Sequence, residues 1–247
     1  MIALTMQLSR FLITLLLIIT LGTASAEPQL IPYSADYILN KSGLAIAEGR
    51  FKLKQNSTGN YTYESRSTPV SVVSWFRSDE ILEQTTWSVS DSHVTPSFYR
   101  YEHTGIDDEK MIHVSFDYDA ERVTTRVNSA PWSMELEAGM QDKMSVQMAL
   151  QLALMAGERG RFEYRVADGG TPKTFSFLYQ GEEVIKTPLG KFHTLRVKRE
   201  NDKRGTTMWF APELNYIPVR VEQKKKGMNL LIKKLKGLPL PDSKSGS

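Results

Sequence analysis

The sequence predicts a mainly β fold: a curved antiparallel sheet or open half-barrel around one buried central helix. Three observations carry that reading. Short segments rich in β-branched and aromatic residues alternate with polar residues at a period of two. Clusters of Gly, Pro, Asn and Ser separate these segments at short intervals. Near the middle, "QDKMSVQMALQLALMAG" (residues 141–157) is instead apolar nearly all the way round a helix.

The strands follow in order. Tyr33 to Lys54 reads as two strands broken at Asn40–Gly43, whose residues favour local hydrogen bonds or positive φ. "YTYESRS" alternates Tyr61, Tyr63 and Ser65 against polar neighbours. "PVSVVSWFRSDE" is open between a loop and a short helical turn. "EILEQTTWSVS" and "HVTPSFYRYEHTG" return to strand. After the turn "IDDEK", "MIHVSFDYD" sets Ile112, Val114, Phe116 and Tyr118 on one face. "ERVTTRVN" and "WSMELEA" complete the first half.

Beyond residue 157 come "RFEYRVA", "KTFSFLYQ", "EEVIKTPLGKFHTLRVKRE", "GTTMWFAP" and "NYIPVRVEQKK". Within "TPLGKF", Pro188 fixes φ at the second turn position, and Gly190 can take φ values costly for other residues. A tight hairpin joining the neighbourhoods of Val184 and Leu195 is expected there.

In the central segment, Met144, Met148, Leu152 and Met155 form one stripe at 100° per residue. Val146, Ala149, Leu150, Ala153 and Leu154 fill most of the remaining circumference, leaving Ser145, Gln147 and Gln151 polar. Gln141 or Asp142 can cap the start, and Gly157 is a natural stop. A Met144–Ala156 helix is too short to cross a bilayer. Such a helix must be buried on most sides, and the concave face of a curved sheet is the place for it.

The chain ends are of another kind. "MIALTMQLSR", with Arg10, precedes the apolar run "FLITLLLIITL" and the small residues Ala24 and Ala26. That is the pattern of a secretory signal peptide over residues 1–26, leaving one β-rich domain over 27–236. The Pro- and Ser-rich residues 237–247 read as a disordered tail. The chain has no cysteine, so its stability rests on burial rather than disulfides, which suits a bacterial periplasm. A formal net charge of +3 does not advertise nucleic-acid binding.

Several segments together resemble one bacterial exported family, the domain of unknown function 3108. They are the opening Tyr33-x-Ala35-x-Tyr37, "GLAIAEG", "FDYDAERV", "QDKMSVQMALQLAL", "TPLGKFHTLRV" and "MWFAPELNYIPVRVE". They span nearly the whole mature chain. The resemblance implies a periplasmic β-rich protein without an established activity. The hairpins at "TPLGKF" and "WFAPELNYIPVRV" are also similar to those of outer-membrane lipoprotein carriers, whose half-barrel is lined by apolar side chains and lidded by helices. Likeness of fold does not transmit function.

Catalytic signatures are missing: no G-x-S-x-G, no H-E-x-x-H, no Gly-rich phosphate loop. Asp107-Asp108 and Glu182-Glu183 are adjacent pairs that point apart on a strand or into water at a turn. Of the four His residues (93, 103, 113 and 193), His103 and His113 would meet only in a hairpin register that misaligns the apolar faces. No catalytic residue, metal or cofactor is expected.

Two groups remain as contact candidates. Met144, Met148, Leu152 and Met155, with Trp75 at a rim, could line an apolar ligand site. The stretch "KKKGMNLLIKKLKG", carrying Lys224, Lys225, Lys226, Lys233, Lys234 and Lys236, reads as a contact for anionic lipid or glycan, or as a charged guard on a sheet edge.

The leading expectation is a non-enzymatic periplasmic carrier for a lipid or other amphipathic envelope component. An envelope assembly or scaffolding factor with a dry core, and a hydrolase of envelope polymers, are the alternatives. An envelope protein is a possible partner, and the mature chain carries no transmembrane segment. If the leader is read correctly, N-terminal sequencing of the exported protein begins at or next to Glu27; a membrane-bound form retaining Met1 refutes the reading.

Overall fold

A computed structural model describes residues 28–70, 74, 78–90 and 93–240. The leader, Trp75 and the last seven residues lie outside them. The first half runs β1 (Tyr33–Lys41), β2 (Leu44–Gln55), β3 (Tyr61–Pro69), β4 (Glu80–Ser90) and β5 (His93–Thr104). β6 (Lys110–Asp117), β7 (Arg122–Val127) and β8 (Ala130–Glu135) complete it. Helix α1 (Ser145–Met155) follows, then β9 (Arg161–Asp168), β10 (Thr171–Lys186) and β11 (Lys191–Glu200). The chain closes with β12 (Thr206–Ala211), β13 (Ile217–Gln223) and β14 (Met228–Lys236).

All the strands join one 14-stranded sheet. Successive strands pair antiparallel from β1 to β8 and from β9 to β14, and β1 pairs with β14. The first and last strands therefore lie mid-sheet, and the edges are β8 and β9. The connection between those edges carries α1. It also runs along β9, where the Gln141 N–H donates to Arg165 O at 2.8 Å and the Ala167 N–H donates to Gln141 O at 2.8 Å. Near β8, a Cβ added to Gly170 in the β9–β10 turn would lie 3.3 Å from Trp132 of β8. The edges thus approach each other without a shared ladder, and the sheet coils into an open barrel.

Inside the coil, α1 divides the core. Met144, Met148 and Leu152 share one cluster with Tyr33, Tyr63, Trp87, Tyr99, Val114 and Val123. Val146, Leu150 and Leu154 share the other with Phe162, Phe175, Phe177, Leu195 and Phe210. The apolar circumference read from the sequence is thus matched by apolar partners on both sides. The Tyr-x-Ala-x-Tyr strand faces inward: Tyr33, Ala35 and Tyr37 are buried, and the Tyr37 hydroxyl donates to Pro218 O at 2.8 Å.

Burying a helix requires its ends to be satisfied within the protein. At the start, Asp142 Oδ1 accepts from the N–H groups of Met144 (2.7 Å) and Ser145 (2.8 Å). Ser145 Oγ accepts in return from the Asp142 N–H at 2.8 Å, the reciprocal arrangement of a capping box. Thr85 Oγ1 donates to Asp142 Oδ2 at 2.6 Å, fixing the cap to β4. At the end, Gly157 takes φ 87°, and its N–H reaches Leu154 O while the Glu158 N–H reaches Ala153 O, a Schellman motif. Gln151, fully buried, donates to Asn215 O at 2.7 Å. Asn215 in turn holds the N-terminal segment through Ile31 N–H (3.1 Å) and Gln29 O (3.1 Å), seating Leu30 at 1% exposure.

Three local expectations change. "KTFSFLYQ" and "EEVIK" are one 16-residue strand, β10, because a bulge at Gln180–Gly181, with Gly181 at φ 99°, carries the ladder past the break. The "TPLGKF" hairpin forms, with Lys186 opposite Lys191, but Gly190 does not use positive φ. Its turn is held instead by Thr187 Oγ1, which accepts from the Leu189 and Gly190 N–H groups. Tyr118 falls just past β6 and is 46% exposed, its hydroxyl donating to Pro96 O.

Leu152 is 2% exposed, so Leu152→Ala is expected to cost about 2–5 kcal/mol in chemical denaturation. A loss below about 1 kcal/mol would contradict the packed helix. Burial pushes the Asp142 carboxyl up to about 6, against the pull of its hydrogen bonds to Thr85, Ser145 and Met144. The folded protein therefore holds a proton that the unfolded chain, near 3.8, has released. Stability from this group is greatest below about pH 4 and is lost, on the order of 3 kcal/mol, as pH rises through about 6. Asp142→Asn keeps the Oδ1 acceptor and should gain stability relative to wild type between pH 4 and pH 7. Parallel pH profiles for the two proteins would contradict it.

Candidate functional site

The ligand-lining candidates lie in the packed interior. Met144, Met148 and Leu152 are 6%, 0% and 2% exposed, and Met155 is half-buried against the same cluster. Among the described residues, two cavities lie away from α1, which lines neither. One, of about 460 Å³, lies at the β10–β11 turn beside Val184, Pro188 and Leu189. The other, of about 870 Å³, opens at the barrel end where β11 meets β12. Trp75, the remaining candidate, is outside the described residues.

The titratable groups are engaged locally. In the β5–β6 ladder, Tyr99 pairs with Val114 and Tyr101 with Ile112, so His103 faces Lys110 and His113 faces Arg100. His103 Nε2 lies 2.8 Å from Asp79 Oδ2. Among the described residues, no three His, Asp or Glu side chains form a group able to hold a metal. Glu183 Oε1 accepts from Trp209 Nε1 at 2.6 Å. The Trp209 ring is 4% exposed and is covered by the guanidinium groups of Arg220 (4.5 Å) and Arg196 (5.9 Å). Phe210, its neighbour, points into the core.

The basic candidates separate into two sets. Lys233 donates to Glu48 at 2.7 Å and, with Lys234, lies along the body of β14. That strand pairs with β1 on one side and β13 on the other, so these lysines guard no edge. Lys224, Lys225 and Lys226 form an exposed 3-10 turn between β13 and β14, closed by Gly227 at φ 63°.

That turn is joined to two others at the same barrel end. The β1–β2 hairpin turns at Ser42 (φ 51°) and Gly43 (φ 86°), the pair of positive values a two-residue hairpin loop uses. Its Ser42 N–H donates to Gly227 O at 2.9 Å. The β11–β12 turn is shaped by Asp202, which accepts from the N–H groups of Arg204 (3.1 Å) and Thr206 (2.9 Å) and from the Thr206 hydroxyl. Lys225 N–H donates to Arg204 O at 3.0 Å, and Lys224 N–H to Gly205 O at 3.3 Å. The three turns are thus one hydrogen-bonded rim that gathers Lys41, Lys203 and Arg204 around Lys224–Lys226.

The larger cavity borders this rim. Arg196, Lys198, Arg199, Lys203, Lys224 and Lys225 line it, with Glu200, Asp202 and Glu222 among them. Arg199 stacks on a core ring, its guanidinium carbon 3.4 Å from the Phe175 ring centroid. Burial pulls its pKa below the usual arginine range, against the pull of Asp202 and Asp168, and its Nε has no hydrogen-bond partner. Sequence reasoning found the lysine run but not the other cations of the rim. The signal was topological: alternate hairpins of an antiparallel meander turn at the same end.

The fold has solved counterparts. The chain is similar to a beta-barrel-like protein of the domain of unknown function DUF1849 from Brucella abortus. The TM-score is 0.55 at 13% identity, covering 84% of this chain and 98% of that one. A provisionally assigned lipoprotein from Parabacteroides distasonis covers 85% of this chain and 97% of its own, at TM-score 0.34 and 11% identity. No curated protein matches the sequence. The family model for protein of unknown function DUF3108 matches residues 32–226, most of the chain and every strand but β14, and the protein belongs to that family.

Proposed function

We propose that the protein is a non-enzymatic periplasmic factor that acts through its outer surface, in assembly or scaffolding of the envelope. One observation carries the reading: α1 occupies the place an internal ligand would take. Met148, Leu150 and Leu154 have no solvent exposure, and the helix packs against both halves of the coil. Binding an acyl chain there would require α1 to leave, exposing apolar surface at roughly 25 cal/mol per Å².

The buried polar groups support a structural role for the interior. Asp142 caps the helix, Gln151 holds Asn215, and the Tyr61 hydroxyl donates to Leu30 O at 3.2 Å. Export is supported by the leader pattern at residues 1–26. Among the described residues no helix is long and apolar enough to cross a membrane.

The carrier reading is what the decisive experiment opposes. Protein purified from the periplasm without detergent is extracted with organic solvent, and the extract is analysed by mass spectrometry. The expected result is no lipid approaching one per protein, and no binding of a fluorescent fatty acid at micromolar concentration. A stoichiometric lipid, lost when Met148 is replaced by Glu but retained in Met148→Leu, would establish the carrier instead.

A further inference from the structure

We propose that the rim formed by the β1–β2, β11–β12 and β13–β14 turns docks the protein onto a bilayer rich in anionic phospholipid. The inference names a partner for the surface-acting reading and rests on it. Its first support is charge. Lys41, Lys203, Arg204, Lys224, Lys225 and Lys226 are all exposed. Every ion pair of the described residues that involves the acids beside them uses another cation. Glu200 pairs with Arg161 at 3.1 Å, and Glu222 with Arg220 at 3.2 Å. Asp202 is held by the backbone of Arg204 and Thr206. The rim is therefore strongly positive on a chain whose formal net charge is only +3.

The second support is apolar. Leu44, at the tip of the β1–β2 hairpin, is 72% exposed, more than any other exposed large apolar residue described. The Ser42–Gly227 hydrogen bond fixes that tip beside the lysine turn. A leucine projecting among lysines suits an interface in which the apolar tip passes below the headgroups while ammonium groups meet phosphates. A soluble polyanion has use for the lysines but offers the leucine no apolar phase. The third support is the adjoining cavity of about 870 Å³, lined by Lys198, Lys203, Lys224 and Lys225. It provides a concave seat for a phosphate headgroup.

The test is flotation of the mature protein with phosphatidylcholine vesicles, with and without phosphatidylglycerol. Binding is expected only to the anionic vesicles and should weaken with added salt. Each lysine removed should lower the partition coefficient about fivefold, so Lys224→Gln, Lys225→Gln and Lys226→Gln together should lower it by roughly two orders of magnitude. Lys54→Gln, at the opposite barrel end and beyond a Debye length from the docked surface, should leave it nearly unchanged and serves as the charge control. Leu44→Ser should weaken vesicle binding while leaving retention on immobilised dextran sulfate unchanged. Unaltered melting temperatures for the variants confirm that the fold is intact.

Absence of binding to anionic vesicles, equal binding to neutral ones, or an unchanged partition in the triple variant would each overturn the proposal. So would vesicle binding insensitive to Leu44→Ser, which would mark a polyanion site. None of these results bears on the lipid-extraction experiment, so the surface-acting reading stands or falls separately.

Discussion

The structure depends on burying a helix that is apolar on nearly every side. A helix of that kind has no face to give to water, so the sheet must supply partners all round it. A flat sheet covers one face only. A coiled sheet covers both, and the two core clusters divided by α1 are the result. The topology makes this possible, because α1 lies in the connection between the two edge strands. The chain leaves one edge, passes into the interior as a helix and emerges to form the other. Filling the barrel and joining its edges are a single event in the chain.

Such burial is stable only if the helix ends keep their hydrogen bonds. The Asp142–Ser145 box and the Gly157 motif accomplish this with local residues. Asp142 is costly in one respect, since it is a buried carboxyl with no cation bonded to it, and burial raises its pKa for that reason. What it gains is position: its second oxygen ties the helix start to Thr85 of β4. Gln151 does the equivalent from mid-helix, through Asn215, and Asn215 carries the constraint to the N-terminal segment. Asn215 and Tyr216 both have positive φ, so the "LNY" turn bends where the helix needs an acceptor.

Much of this was legible in the sequence, because period-two alternation and the apolar helix are local signals. β4 begins and ends with the segment "EILEQTTWSVS", and α1 starts and stops within one residue of its reading. What escaped was non-local. A bulge at Gln180–Gly181 turned two strand readings into one, and no pattern of period two announces an extra residue. The lysines of β14 looked like an edge guard because sequence order does not reveal that β14 lies beside β1. The rim escaped for the same reason, since Ser42 and Gly227 are far apart in the chain and hydrogen-bonded in the fold. Gly190 illustrates a different limit: its place in the turn was right, but Thr187 rather than a positive φ makes the turn.

An open barrel also leaves two edges, and unpaired edges invite strands from other chains. The two are handled differently. β9 has part of its free edge taken by Gln141, which bonds to Arg165 and Ala167 as a strand would. β8 is only six residues long, includes Pro131, which has no N–H to donate, and ends at Glu135. Trp132, on the same face as the buried Thr125, turns its ring toward the Gly170 turn across the seam. A side chain at Gly170 would push against that ring at 3.3 Å, so the absence of a Cβ there lets the edges approach. The seam is thus narrowed by a tryptophan rather than closed by a ladder. The β1–β14 ladder joins the two halves of the coil on one side, and at the seam the interior helix, packed against both, bridges them.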